Sequence, residues 1–212
     1  MNHLFLRAAL ATVAISTLGL TSCNDDDEQA EAAVKPALQV QAVSSLAPQP
    51  ATPTSTGQPG TPRHYTFFSL ADGKEVPHTD SASTKWDLAF RGTTILTNGG
   101  SSGPGQGGAQ VKSGLFAELT TAPETDYAVD AAAAKAIPTG SGKGWYNYNP
   151  TTHVVSPIAG KVLVIRTAAG KYAKLEVTNY YKGAPATPTG TEPSGYYSFR
   201  YVYQPDGSRN LQ

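Results

Sequence analysis

The chain is short of the residues that most often announce a function. Its 212 residues hold one cysteine, one methionine and two tryptophans. With Cys23 alone, no internal disulfide is possible. Charged residues make up only 15%, and 16 basic side chains balance 16 acidic ones, so no overall field draws in nucleic acid. The one long apolar run, Ala8–Leu20, is too short to span a bilayer comfortably. No Gly-x-Ser-x-Gly nucleophile elbow is expected, no His-Glu-x-x-His pair occurs and no carboxylate pair is marked out by its spacing, so an enzyme is not expected. Asn98–Gln110 (NGGSSGPGQGGAQ) is rich in glycine, but no Gly-Lys-Ser/Thr closes it and no helix pattern follows. A phosphate cradle needs both, so this stretch is expected to be a mobile loop.

What is abundant points to strands and turns. There are 11 Tyr, 21 Gly and 16 Pro. The plainest element is Lys161–Tyr181 (KVLVIRTAAGKYAKLEVTNYY). Its two β-rich arms flank Ala168-Ala169-Gly170-Lys171, which predicts an antiparallel hairpin. The first arm is apolar on both faces, as in a covered strand, and the second is half polar. Other strands are expected at His64–Leu70, Lys74–Val76, Lys85–Arg91, Thr93–Thr97, Val111–Thr120, Trp145–Tyr148, His153–Ser156 and Tyr196–Tyr203. In the last of these Tyr197, Phe199, Tyr201 and Tyr203 share one face, a stripe that predicts core packing. Ala128–Ala136 is the best helix candidate, on alanine propensity alone. Gly183–Gly195 is a Pro/Gly/Thr loop. The expected fold is all-β, a single antiparallel β-rich domain.

The amino terminus supplies an address. Arg7 precedes the apolar stretch, which ends in Leu20-Thr21-Ser22-Cys23, the form of a bacterial lipobox. Cys23 is therefore the expected lipidation site, with 1–22 a lipoprotein signal peptide. Asn24-Asp25-Asp26-Asp27-Glu28 resembles the acidic lipoprotein export signal of Bacteroidetes, which directs lipoproteins to the cell surface. Residues 23–62 are expected to form an acidic, Pro/Ala/Thr-rich disordered tether, and 63–212 the β domain. Five acids and one base (Lys35) lie between Cys23 and Pro62, so the tether carries most of the negative charge. Membrane contact is expected through the lipid anchor alone, at the outer membrane.

Four blocks carry a family resemblance. WDLAFRGTTILTNGG (Trp86–Gly100), WYNYNPTTHVVSP (Trp145–Pro157), LVIRTAAGKYAKLEV (Leu163–Val177) and YYSFRYVYQ (Tyr196–Gln204) resemble the HmuY family in matching order. These are haem-binding surface lipoproteins of Bacteroidetes. The resemblance implies an all-β domain that binds haem, a haemophore that passes its cargo to a TonB-dependent outer-membrane receptor. It makes haem, or another tetrapyrrole, the expected ligand. A binding or interaction module of the same fold with a different ligand is the alternative.

Haem iron takes His, Met, Cys or Tyr from a protein. Met1 and His3 leave with the signal peptide and Cys23 is lipidated, so three His and 11 Tyr remain. A Met–Met site is excluded. His153, flanked by Tyr146 and Tyr148 in a family-like block, is the first axial candidate, with His64 and His78 behind it. The bland reading of His153 is a strand-edge imidazole satisfied by a carbonyl. A Tyr could ligate ferric haem if a base accepted its proton, but the sequence does not single one out. Asp87 is expected to satisfy backbone groups or an Arg. Arg91 and Arg166 are expected to pair with a carboxylate or a loop carbonyl, a haem propionate being the alternative.

Overall fold

The computed structural model describes residues 37–50 and 64–212. Its strands are β1 (Gln41–Leu46), β2 (Thr66–Ser69), β3 (Lys74–Val76), β4 (Leu88–Arg91), β5 (Thr94–Thr97), β6 (Gly108–Ser113), β7 (Tyr146–Asn149), β8 (Val154–Pro157), β9 (Lys161–Arg166), β10 (Tyr172–Tyr181) and β11 (Ser194–Gln204). They form a five-stranded sheet in the order β1-β11-β10-β9-β6, a four-stranded sheet β3-β2-β4-β5, and the β7–β8 ribbon. Every pairing is antiparallel. The fold is all-β, and the described residues contain no α-helix, only a 3-10 turn at His78–Asp80.

The hairpin at the centre of the sequence is also central in space. β9 lies between β10 and β6, with Leu175 opposite Leu163 and Ala173 opposite Ile165. Leu163 and Ile165 enter the main core, while Val162 and Val164 are buried in smaller clusters with Phe116 and Leu211. That two-sided burial is why this arm carries almost no polar residue. The tyrosine stripe of β11 is core. Tyr197, Phe199 and Tyr201 meet Phe68 and Phe90 of the four-stranded sheet, with Phe90 and Tyr197 ring centres 4.7 Å apart. Each such ring pair adds about 0.5–1.5 kcal/mol beyond the area it buries.

Three expectations need revision. First, β1 falls inside 23–62, the segment expected to be a tether. Its backbone pairs with β11, Val43 and Leu46 pack against the core, and Ser45 N–H donates to Ser198 Oγ at 3.0 Å. The free edge of β11 recruits a segment whose own composition holds little to bury. The expected lipobox with Cys23, and residues 24–36 and 51–62 of the expected tether, lie outside the described residues.

Second, Ala128–Ala136 is not a helix. Ala128 bridges to Ala109, and the buried Asp130 carboxylate accepts N–H bonds from Thr97 (3.0 Å) and Ala136 (2.8 Å). So short a run of alanines cannot nucleate a helix against those ties.

Third, the glycine-rich loop is pinned. Buried Asn98 donates to the carbonyls of Ser83 and Trp86 and accepts from Gly105 N–H. Gly107 N–H and Gln106 N–H donate to Asn98 and Ala168 carbonyls. A Cβ on Gly103 would collide with the Asn98 side chain and the Trp86 ring, so this glycine serves close approach rather than flexibility. The letters Gly99-Gly100-Ser101-Ser102-Gly103 match a Gly-x-Ser-x-Gly pattern. A nucleophile elbow is a strand-to-helix turn, however, and here the chain loops back into β6.

Asp87 does what was expected of it. Its two carboxylate oxygens accept N–H bonds from Leu70 (2.8 Å) and from Ala168 in the β9–β10 turn (3.0 Å). Burial pushes its carboxyl above the ordinary value, the two backbone bonds pull it partly back, and Asp72 adds a smaller upward push. Because both oxygens face N–H donors, Asp87→Asn must set its NH2 against one of them. It should cost about 1–3 kcal/mol in urea unfolding near neutral pH. The raised value also sets a sign. The unfolded carboxyl ionises near 3.8 and the folded one later, so this group's contribution is fully present below 3.8 and is lost as pH rises through the folded value. A stability–pH profile of the Asn variant should lack that fall.

Candidate functional site

Two of the three candidate histidines meet. Pairing of Phe67 with Val76 brings together the chain before β2 and the chain after β3. His64 and His78 are exposed there with ring centres 4.0 Å apart, inclined by 51°. The His78 ring also lies 6.0 Å from Phe67. Iron held between two imidazole nitrogens spreads the rings on either side of a porphyrin plane. Rings in direct contact leave no room for that plane, so the pair as it stands is not a trans axial set.

His153 sits elsewhere, in the β7–β8 turn. Asn149 Oδ1 accepts N–H bonds from Thr151 (2.9 Å) and Thr152 (3.3 Å), an Asx turn that brings the chain round. His153 then takes a left-handed backbone, φ +58°, uncommon for a residue with a Cβ. The result is a contact the turn is built to make: His153 Nδ1 lies 2.6 Å from Tyr148 Oη. Both residues are exposed, Tyr148 by 41%. The partner of His153 is thus a phenol, where the bland reading of this residue had a carbonyl.

The ribbon beneath this pair is braced. Val155 N–H donates to Tyr181 Oη at 2.8 Å, Thr93 Oγ1 donates to Tyr146 Oη, and Tyr148 N–H donates to Ser141 Oγ. Gly190, in the loop between β10 and β11, approaches the Thr152 carbonyl so closely that a Cβ would clash with it.

Tyr148 is the one exposed tyrosine of the eleven. The hydroxyls of Tyr127, Tyr197 and Tyr201 donate to Pro123 O, Gly92 O and Gln41 Oε1. Burial raises the Tyr197 hydroxyl well above its ordinary value and that of Tyr180 to about 12. The arginines have the ordinary partners expected, or aromatic ones. Arg166 Nε donates to Gln106 O at 2.7 Å, and the Arg91 guanidinium lies 4.2 Å from the Tyr65 ring centre. A groove of about 270 Å³ runs between Lys112, Leu115, Leu119 and Val162. A second, of about 350 Å³, lies between Asp72, Lys74, Pro77 and Lys85. No histidine lines either.

Sequence reasoning named His153 and noted Tyr148 beside it without choosing the tyrosine. The signal was present in the hairpin. With Asn149 opposite Val154, residues 148 and 153 straddle the turn.

The fold and the site define an all-β protein that presents phenol and imidazole donors on a braced hairpin. The family described as HmuY protein matches residues 62–201, and the chain belongs to that family. Among solved structures it is similar to one from Bacteroides vulgatus described as HmuY-like and haem-binding: 22% identity, 66% of this chain and 85% of that one, TM-score 0.45. It is also similar to the apo HmuY analogue of Tannerella forsythia: 20% identity, 79% and 96% covered, TM-score 0.44. A third, from Bacteroides fragilis, is described as a lipoprotein, at 17% identity, 66% and 84% covered, TM-score 0.43. No curated protein matches. No helix among the described residues is long and apolar enough to cross a membrane.

The left-handed backbone of His153 allows a stability test. Glycine adopts φ +58° without a Cβ clash, relief worth about 1–2 kcal/mol, against up to about 1 kcal/mol of added unfolded-state entropy. His153→Gly should therefore be neutral, or stabilising by up to about 1 kcal/mol, in urea unfolding. A loss larger than that would show that the imidazole holds the turn together.

Proposed function

We propose that the protein is a lipid-anchored, surface-exposed haemophore that binds haem and delivers it to a TonB-dependent outer-membrane receptor. The observation that carries this reading is membership of the HmuY family over most of the folded chain. The lipobox ending at Cys23 and the acidic run after it support the surface address. The donor set fits haem. Among the described residues there is neither Met nor Cys, but His64, His78 and His153 are exposed, and Tyr148 stands beside the last of them. Haem is cargo in this reading, and the chain's task is to hold it and give it up.

A non-haem binding module of the same fold is the second reading. It is favoured by one observation: His64 and His78, the two histidines brought together, are in contact rather than opposed.

A haemin titration of the purified protein, followed in the Soret region with the iron ferric and then reduced, separates the two. The haemophore reading expects a saturating one-to-one shift. No saturable shift would overturn it and leave the second reading.

A further inference from the structure

We propose that Tyr148 is the protein ligand to ferric haem iron, as a phenolate, and that His153 is the base that makes it one. The inference rests on haem being the cargo.

Four observations converge on the pair. Tyr148 Oη and His153 Nδ1 share a hydrogen at 2.6 Å, a short contact for an oxygen and a nitrogen. Tyr148 is the exposed tyrosine, whereas hydroxyls such as those of Tyr197 and Tyr201 are committed inside the fold. His153 holds its ring there from a left-handed backbone, a local strain that the Asx turn at Asn149 supports. The ribbon is locked from below by Tyr181, Tyr146 and Ser141, so the pair is positioned before any ligand arrives.

The chemistry follows from this placement. A neutral phenol is a poor donor to iron, and a phenolate is a strong one for the ferric state. His153 Nδ1 can keep the phenol's hydrogen while the oxygen turns its electron pair to the iron. The proton gained by the imidazole equals the one lost by the phenol, and no further reactant is needed. This changes the part expected of His153. With Nδ1 already facing Tyr148, it serves as a positioning residue that acts through the oxygen next to it.

The test compares wild-type, Tyr148→Phe and His153→Ala proteins in haemin titrations. Binding is read by visible absorption and by resonance Raman excited in the phenolate-to-iron charge-transfer band. Circular dichroism of the haem-free variants checks their folding. Wild type should show the band and tyrosinate ring modes, and reduction with dithionite should remove both. Tyr148→Phe should lose them while remaining folded. His153→Ala should shift the band and weaken ferric haemin binding by about tenfold or more, as loss of a ligand's supporting partner does.

Tyr148→Phe that binds haemin with wild-type affinity and spectrum would overturn the ligand assignment and leave haem binding standing. Loss of binding in His153→Ala with Tyr148→Phe unaffected would make the imidazole itself the ligand, and would also overturn it. A wild-type protein that takes up no haemin would overturn this inference together with the haemophore reading.

Discussion

The carboxylate of Asp87 ties the structure together. It sits one residue before β4 and accepts a hydrogen bond from Leu70, just past β2, and another from Ala168 in the β9–β10 turn. One buried carboxyl group thus joins the four-stranded sheet to the central hairpin of the five-stranded one. Its backbone continues the connection, with Asp87 N–H donating to Phe68 O and Asn98 N–H donating to Asp87 O. A buried polar group is costly unless it is hydrogen-bonded, and here both oxygens are. Asn98 and the glycine loop close over the same region, so the sheets are held by polar contacts at one end and by aromatic packing along the rest.

That arrangement explains why a chain with few charges and no internal disulfide can present a rigid hairpin to solvent. Trp145 and Tyr146 enter the common core, and the Trp145 indole N–H donates to Thr93 O at 3.0 Å. From there the ribbon runs outward to Asn149 and back at Val154. What lies beyond the core is short, turned by an Asx motif and limited by Gly190 in the neighbouring loop. Position and exposure of the tyrosine–histidine pair are therefore properties of the core, although neither residue belongs to it.

Much of the architecture was legible in the residues. Alternation of apolar and polar side chains located the β9–β10 hairpin and the core stripe of β11, because a period of two has one structural solution when a face is buried. Asp87 could be assigned to backbone groups or an Arg, and the structure chose the backbone N–H groups of Leu70 and Ala168. β1 was not legible. Gln41–Leu46 carries only two apolar side chains that pack, and its place depends on an open edge of β11 more than 150 residues away in sequence. The helix expected at Ala128–Ala136 failed for a related reason, since the ties made by Asp130 are to residues that local propensity does not see.

Residue order alone was enough for the class: strands and turns, a single cysteine near the amino terminus, and blocks that resemble the HmuY family, to which the chain belongs. Composition also leaves His and Tyr as the candidate donors of the proposed haem site, since the only Met and Cys lie at the amino terminus. Tertiary structure decided which donors stand together. His64 and His78 touch because β2 and β3 pair, and Tyr148 faces His153 because one Asx turn and one left-handed residue fold the ribbon back. Eleven tyrosines are equivalent on a line of text. They differ only once packing has left Tyr148 exposed and committed others, such as Tyr197 and Tyr201, to buried hydrogen bonds, which are properties of a packed molecule rather than of local sequence.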